Sequence, residues 1–124
     1  MKKIILLLAI APFLLATSCD DDDQIYCTQE AKAGLNITVK DAVTNEYLST
    51  GITVIAQDGS YTETLEAFPQ SDIPVFMGAY ERVGTYIFTV SKEGYQTYTS
   101  ELVTLTADVC HVIPQNFLVE LQPN

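Results

Sequence analysis

The chain lacks tryptophan, holds a single histidine, and sets six basic residues against sixteen acidic ones, for a net charge of −10. Each shortage excludes something. So acidic a chain repels phosphate backbones, which disfavours nucleic acid as a partner, and it repels anionic lipid surfaces too. His111 has no second imidazole to share a zinc ion, and its neighbour Cys110 has no Cys-x-x-Cys partner. Four-ligand spacing is therefore absent, and neither a metal nor another cofactor is expected. A Ser-His-Asp hydrolase needs a histidine oriented by a third group. No Gly-x-Ser-x-Gly elbow occurs, and His111 reads as a structural residue. Glu63 and Glu66 are separated by an odd number of positions, so a regular strand puts them on opposite faces and denies them a glycosidase pairing. Glu81 with Arg82 is the best remaining polar candidate, read as an exposed turn or a surface ion pair. No Gly-rich phosphate cradle is present. The expectation is a protein without catalytic activity.

A long hydrophobic run is missing as well. The apolar stretch from Ile4 to Leu15 is about 12 residues, whereas a spanning helix needs roughly 20. It follows Lys2 and Lys3 and leads into Ala16-Thr17-Ser18-Cys19, the layout of a bacterial lipoprotein signal peptide over residues 1–18. Cys19 would become the new N-terminus, its thiol carrying a diacylglyceryl group and its amine a further acyl chain such as palmitate. Each buried methylene contributes about 0.8 kcal/mol, so two or more chains anchor stably. The expected partner is thus a membrane, held through covalent lipid at Cys19.

Asp20, Asp21, Asp22 and Asp23 follow at once. They are too densely charged to pack and form a solvated tether within residues 19–33. They lack the spacing and glycine turn of a calcium loop. Acidic residues directly after a lipidated cysteine resemble the export signal that carries lipoproteins to the cell surface in one group of Gram-negative bacteria; a plain spacer is the alternative. The expected location is the outer membrane, facing the exterior. Loss of Lys2 and Lys3 with the signal takes the charge from −10 to −12.

With Cys19 consumed by lipid, Cys27 and Cys110 remain. An even pair in an oxidising compartment reads as a disulfide. It closes a loop of about 84 residues, which sets an upper contribution near 4.5 kcal/mol in the chain-entropy picture.

The remaining domain, residues 34–124, shows no helical apolar stripe. Period-2 stretches appear instead, with turn signals between them. Leu35, Ile37 and Val39 alternate inward, as do Tyr86, Phe88 and Val90, and then Phe117, Val119 and Leu121. Ile52–Ala56 and Tyr61–Ala67 flank Asp58-Gly59, a hairpin signal. Tyr95 to Leu105 is one long β-rich stretch. Phe68 to Met77, with Pro69 and Pro74, reads as a loop whose Ile73, Val75 and Phe76 form a candidate contact surface, unless they fold back onto the core. Six to eight short strands and no helix point to an all-β fold, a small antiparallel β-sandwich.

The stretch Val39-Lys40-Asp41-Ala42-Val43-Thr44, then Asp58-Gly59, then Gly78-Ala79-Tyr80-Glu81-Arg82-Val83-Gly84-Thr85-Tyr86 through Glu93-Gly94-Tyr95 resembles the carboxypeptidase regulatory-like domain family. Cys110-His111-Val112 is similar to a subset of it. The resemblance spans Gly34 to Leu121 and implies a transthyretin-like β-sandwich serving as a non-catalytic accessory module, with no active-site residues to carry over. Gly84 and Gly94 suit turns of positive φ, and Tyr86 and Tyr95 suit buried rings with bonded hydroxyls. Two functions follow as expectations. One is a surface-displayed module contacting a protein, a cell-envelope component or a glycan. The other is a carbohydrate-binding accessory of an uptake system, which Tyr47, Tyr61, Tyr80 and Tyr98 would support if they shared one face.

Overall fold

A computed structural model describes residues 25–68 and 72–124. The expected signal peptide, Cys19 and Asp20 to Asp23 lie outside the described residues. The described chain is all-β, with eight strands and no helix; none of it is long, helical and apolar enough to cross a membrane.

Strand β1 (Ala33–Asp41) runs through the middle of one wall and carries Leu35, Ile37 and Val39 into the core. It ends where the Asp41 carboxylate accepts hydrogen bonds from Val43 N–H (2.7 Å) and Thr44 N–H (2.9 Å), a side-chain mimic of a backbone turn. The hairpin of β2 (Thr53–Asp58) and β3 (Tyr61–Phe68) turns at Gly59, whose φ is 61°. Then follow β4 (Val75–Tyr80), β5 (Gly84–Ser91), the short β6 (Tyr98–Thr99) and β7 (Val103–Leu105), and finally β8 (Gln115–Leu121).

The strands form one sheet in the order β6-β5-β2-β3-β4-β1-β8. β3 turns its corner: residues 61–65 pair with β2 and residues 66–68 pair with β4. β6 and β7 both pair with β5. Between them buried Ser100 completes the ladder, its N–H donating to Phe88 C=O and its hydroxyl accepting from Phe88 N–H. The sheet is nearly closed, because Gln96 N–H donates to Gln122 C=O and Asn124 N–H donates to Gly94 C=O just past β8.

Two expectations need correction. The sheet is mixed rather than antiparallel, since β1 and β8 run parallel from Leu35↔Gln115 to Asp41↔Leu121. Parallel neighbours need a long crossover, and here the rest of the domain is that crossover. The expected loop from Phe68 to Met77 is also shorter: Phe68 ends β3, and β4 begins at Val75 directly after Pro74. The long stretch from Tyr95 to Leu105 resolves into β6 and β7. Tyr86 is buried with its hydroxyl donating to Arg82 C=O, and the Tyr95 hydroxyl bonds Asp41 at 2.6 Å. Gly84 and Gly94 hold φ of 154° and 90°.

Candidate functional site

The most elaborate polar site lies where the N-terminal segment enters the domain. Cys27 and Cys110 are joined by a disulfide, with Cα atoms 5.3 Å apart. Around it residues 28–31, Glu81 and residues 107–112 line an open cleft of about 480 Å³. Glu81 belongs to the turn between β4 and β5. It and Ala79 hold positive φ (51° and 55°) without being glycine, a conformation that costs free energy and persists only where its surroundings impose it.

What imposes it is visible at the Glu81 carboxylate. Oε1 accepts from Val112 N–H (2.8 Å), while Oε2 accepts from Lys32 N–H (2.9 Å) and faces His111 Nδ1 at 2.6 Å. The Val112 N–H, then the Lys32 N–H, then the His111 ring lower its pKa from 4.5 to about 2. The ionised carboxylate requires a proton on His111 Nδ1. In the neutral ring Nε2 then accepts from the Thr28 hydroxyl, 2.9 Å away. Asp108 accepts from both Cys110 N–H and His111 N–H at 2.8 Å, bonds that hold its carboxyl below the ordinary range. Glu30 is lowered by its ion pair with Lys32, at 3.0 Å.

Hydroxyl, imidazole and carboxylate thus stand in the order of a nucleophilic relay. The rest of such a site is filled differently. The N–H groups of Lys32, Cys110, His111 and Val112 are already bonded to Glu81 and Asp108. Those carboxylates occupy the donors an oxyanion would use. Among the described residues no group of His, Cys, Asp and Glu has metal-holding geometry.

Sequence reasoning named Glu81 and His111 separately and missed their pairing with Thr28. Positions 28, 81 and 111 carry no spacing signal; only the fold joins them. It also read Glu81 and Arg82 as a possible ion pair, whereas Arg82 reaches back to Asp58 at 2.9 Å, donates to the Tyr86 hydroxyl, and stacks 3.7 Å over the Tyr61 ring. Glu63 accepts from Ala79 N–H and the Tyr61 hydroxyl.

The candidate contact residues separate. Phe76 is 4% exposed and part of the core, so it cannot belong to an open contact surface; Val75 is half-buried. Ile73 is 40% exposed and lines a groove of about 330 Å³ with Thr38, Tyr47, Asn116, Phe117 and Leu118. Of the four tyrosines, Tyr47 lines that groove, Tyr98 lines a different cleft beside Glu120, Tyr61 lies under Arg82, and Tyr80 ends β4 opposite Ala33. Scanned against protein-family models and curated proteins, the chain finds no match.

Proposed function

We propose that the protein is a non-catalytic, lipid-anchored module: a small transthyretin-like β-sandwich of the carboxypeptidase regulatory-like type, tethered to the outer membrane through Cys19, facing the cell exterior, and acting by contact with a protein or cell-envelope partner. The observation that carries this reading is the fastening of residues 27–32. Cys27 is bonded covalently to Cys110, Thr28 to His111, and Lys32 N–H to Glu81. Tension on a tether at Cys19 reaches these residues first, and they pass it to the β4–β5 turn and to the segment before β8 as well as to β1. The same bonds occupy the cleft's backbone donors, and Glu30 and Asp108 add negative charge to its lining, which favours fastening over acyl transfer.

Replacing Cys19 by Ala should remove the protein from the membrane fraction or leave it unprocessed; an unchanged fraction would overturn the anchor. Protease added to intact cells should remove the domain, and alanines at Asp20 to Asp23 should protect it. Equal sensitivity in both strains would overturn the export role. A fluorophosphonate probe should leave Thr28 unlabelled, and labelling that disappears with His111→Ala would overturn the absence of catalysis.

Sugar capture for an uptake system is the second reading. One observation favours it: the described residues that line the groove beside Tyr47 are uncharged, with Lys40 reaching over the Tyr47 ring at 5.9 Å, and an aromatic ring next to Thr38 and Asn116 suits a neutral sugar. The tyrosines' separation into different clefts confines that support to Tyr47. Titration with neutral oligosaccharides, compared between the wild type and Tyr47→Ala, tests it.

A further inference from the structure

The free side of β8 is the one long run of strand edge that the described fold leaves unpaired. Residues of a strand direct their N–H and C=O groups alternately to one neighbour and the other. Leu121 C=O accepts from Ala42 N–H, so Leu121, Val119, Phe117 and Gln115 turn their backbone groups towards β1. Asn116, Leu118 and Glu120 therefore turn theirs outward. Beyond them the outward side is already occupied, since Gln122 C=O accepts from Gln96 N–H. The open window is β8 itself, with Thr97 and Tyr98 across a cleft from its Glu120 end. Its opposite number, β6, is two residues long and offers little.

Exposed edges are ordinarily guarded by lysine, proline, a bulge or brevity. β8 reads Gln-Asn-Phe-Leu-Val-Glu-Leu, with neither lysine nor proline and a single charge at Glu120, and Leu118 on it is 55% exposed. Its sequence is also complementary to itself. Placed antiparallel to a second β8 about Leu118, it sets Leu118 opposite Leu118 and Asn116 opposite Glu120, twice. Every outward-facing residue then meets another, and each Glu120 carboxylate meets an amide rather than a like charge. Slippage by two residues in one direction sets Asn116 against Gln122, whose carbonyl is taken. In the other direction it sets Glu120 against Pro114, which has no N–H to give. Slippage by one residue opposes outward groups to inward ones.

We propose that two copies of this chain pair through β8, antiparallel and centred on Leu118, joining their sheets into one. A two-fold contact of this kind is self-complementary by construction. The pairing goes beyond the tether reading and does not need it, although copies held on one membrane would meet at raised effective concentration.

The test is cross-linking of the full chain under mild oxidation, read in whichever cell fraction holds it, so that failure of the anchor and failure of the pairing are distinguished. Opposed residues in a strand pair lie within disulfide reach and offset ones do not. Leu118→Cys should yield a dimer. Asn116→Cys and Glu120→Cys should yield little alone and a dimer when the two chains are co-expressed. Adding Leu118→Pro to the Asn116→Cys and Glu120→Cys chains should abolish their dimer, because it removes an outward N–H without taking a bond from β1. Equal cross-linking at all three positions would show random collision and overturn the proposal. So would absence of any dimer, or a Leu118→Cys adduct formed with a different protein, which would assign the edge to another partner's strand.

Discussion

The cleft at the N-terminal end and the edge of β8 treat hydrogen bonding in opposite ways. At the cleft, Glu81 and Asp108 gather backbone N–H groups from two stretches of chain, at Lys32 and at residues 110–112, and a disulfide locks the result. At the edge, Asn116, Leu118 and Glu120 leave their backbone groups facing out. The cleft holds the histidine, the strained turn and the most perturbed carboxylate, features that ordinarily mark a place of chemistry. Here its polar groups bond one another. A satisfied network holds a shape, whereas an unsatisfied one recruits, so an elaborate site need not be where a molecule meets its partners.

The largest effect that would sharpen this contrast is expected beside the open side, between two residues close in sequence. Phe76→Ala should lower stability by about 3–5 kcal/mol, because a buried ring is lost and a cavity remains. Ile73→Ser, on the groove, should stay within about 0.5 kcal/mol. Urea denaturation of both compares them; equal losses would mean that the groove is part of the interior.

The next effect belongs to the cleft. Cys27→Ser with Cys110→Ser should lower stability by about 2–5 kcal/mol. Thermal unfolding measures it. A change near zero would show that the polar bonds fasten the N-terminal segment without covalent help.

A smaller effect concerns pH. The folded pKa of Glu81, about 2, lies below its ordinary 4.5, so its contribution is complete above about pH 4.5 and is lost as pH falls towards 2. Glu81→Gln should flatten the dependence of melting temperature on pH in that window and leave the slope elsewhere unchanged. An identical slope in both proteins would place the acid sensitivity in other carboxylates.

The smallest expected effect is at the edge. Leu118→Ser should shift monomer stability by less than about 0.5 kcal/mol, since the side chain is mostly in solvent. A loss of several kcal/mol, followed by chemical denaturation at low protein concentration, would mean that Leu118 supports the fold itself.

Strands with clean alternation were legible from the sequence because burial on one face writes itself at every second position. Leu35, Ile37, Val39, Tyr86, Phe88 and Val90 are all fully buried as their pattern indicated, and Val119 and Leu121 nearly so. β4 was not legible. Two prolines precede it, and Phe76, Gly78 and Ala79 are buried without regular alternation. Gly78 lies in close packing: a Cβ there would stand 2.6 Å from the Leu65 side chain. The Cys27–Cys110 pairing was legible by count. The Thr28–His111–Glu81 alignment and the open edge were not, because strand order and the choice of parallel partner are properties of the whole chain.

That choice has a consequence for the order of events in making the protein. β1 and β8 stand side by side in register over seven residue pairs, although nearly the whole domain lies between them in sequence. The first strand synthesised waits for the last to complete its wall, and the same is true of the cysteines. Contacts so distant along the chain slow folding. A growing chain therefore cannot complete this wall until its final strand emerges, so the two ends of the domain become fixed together and last.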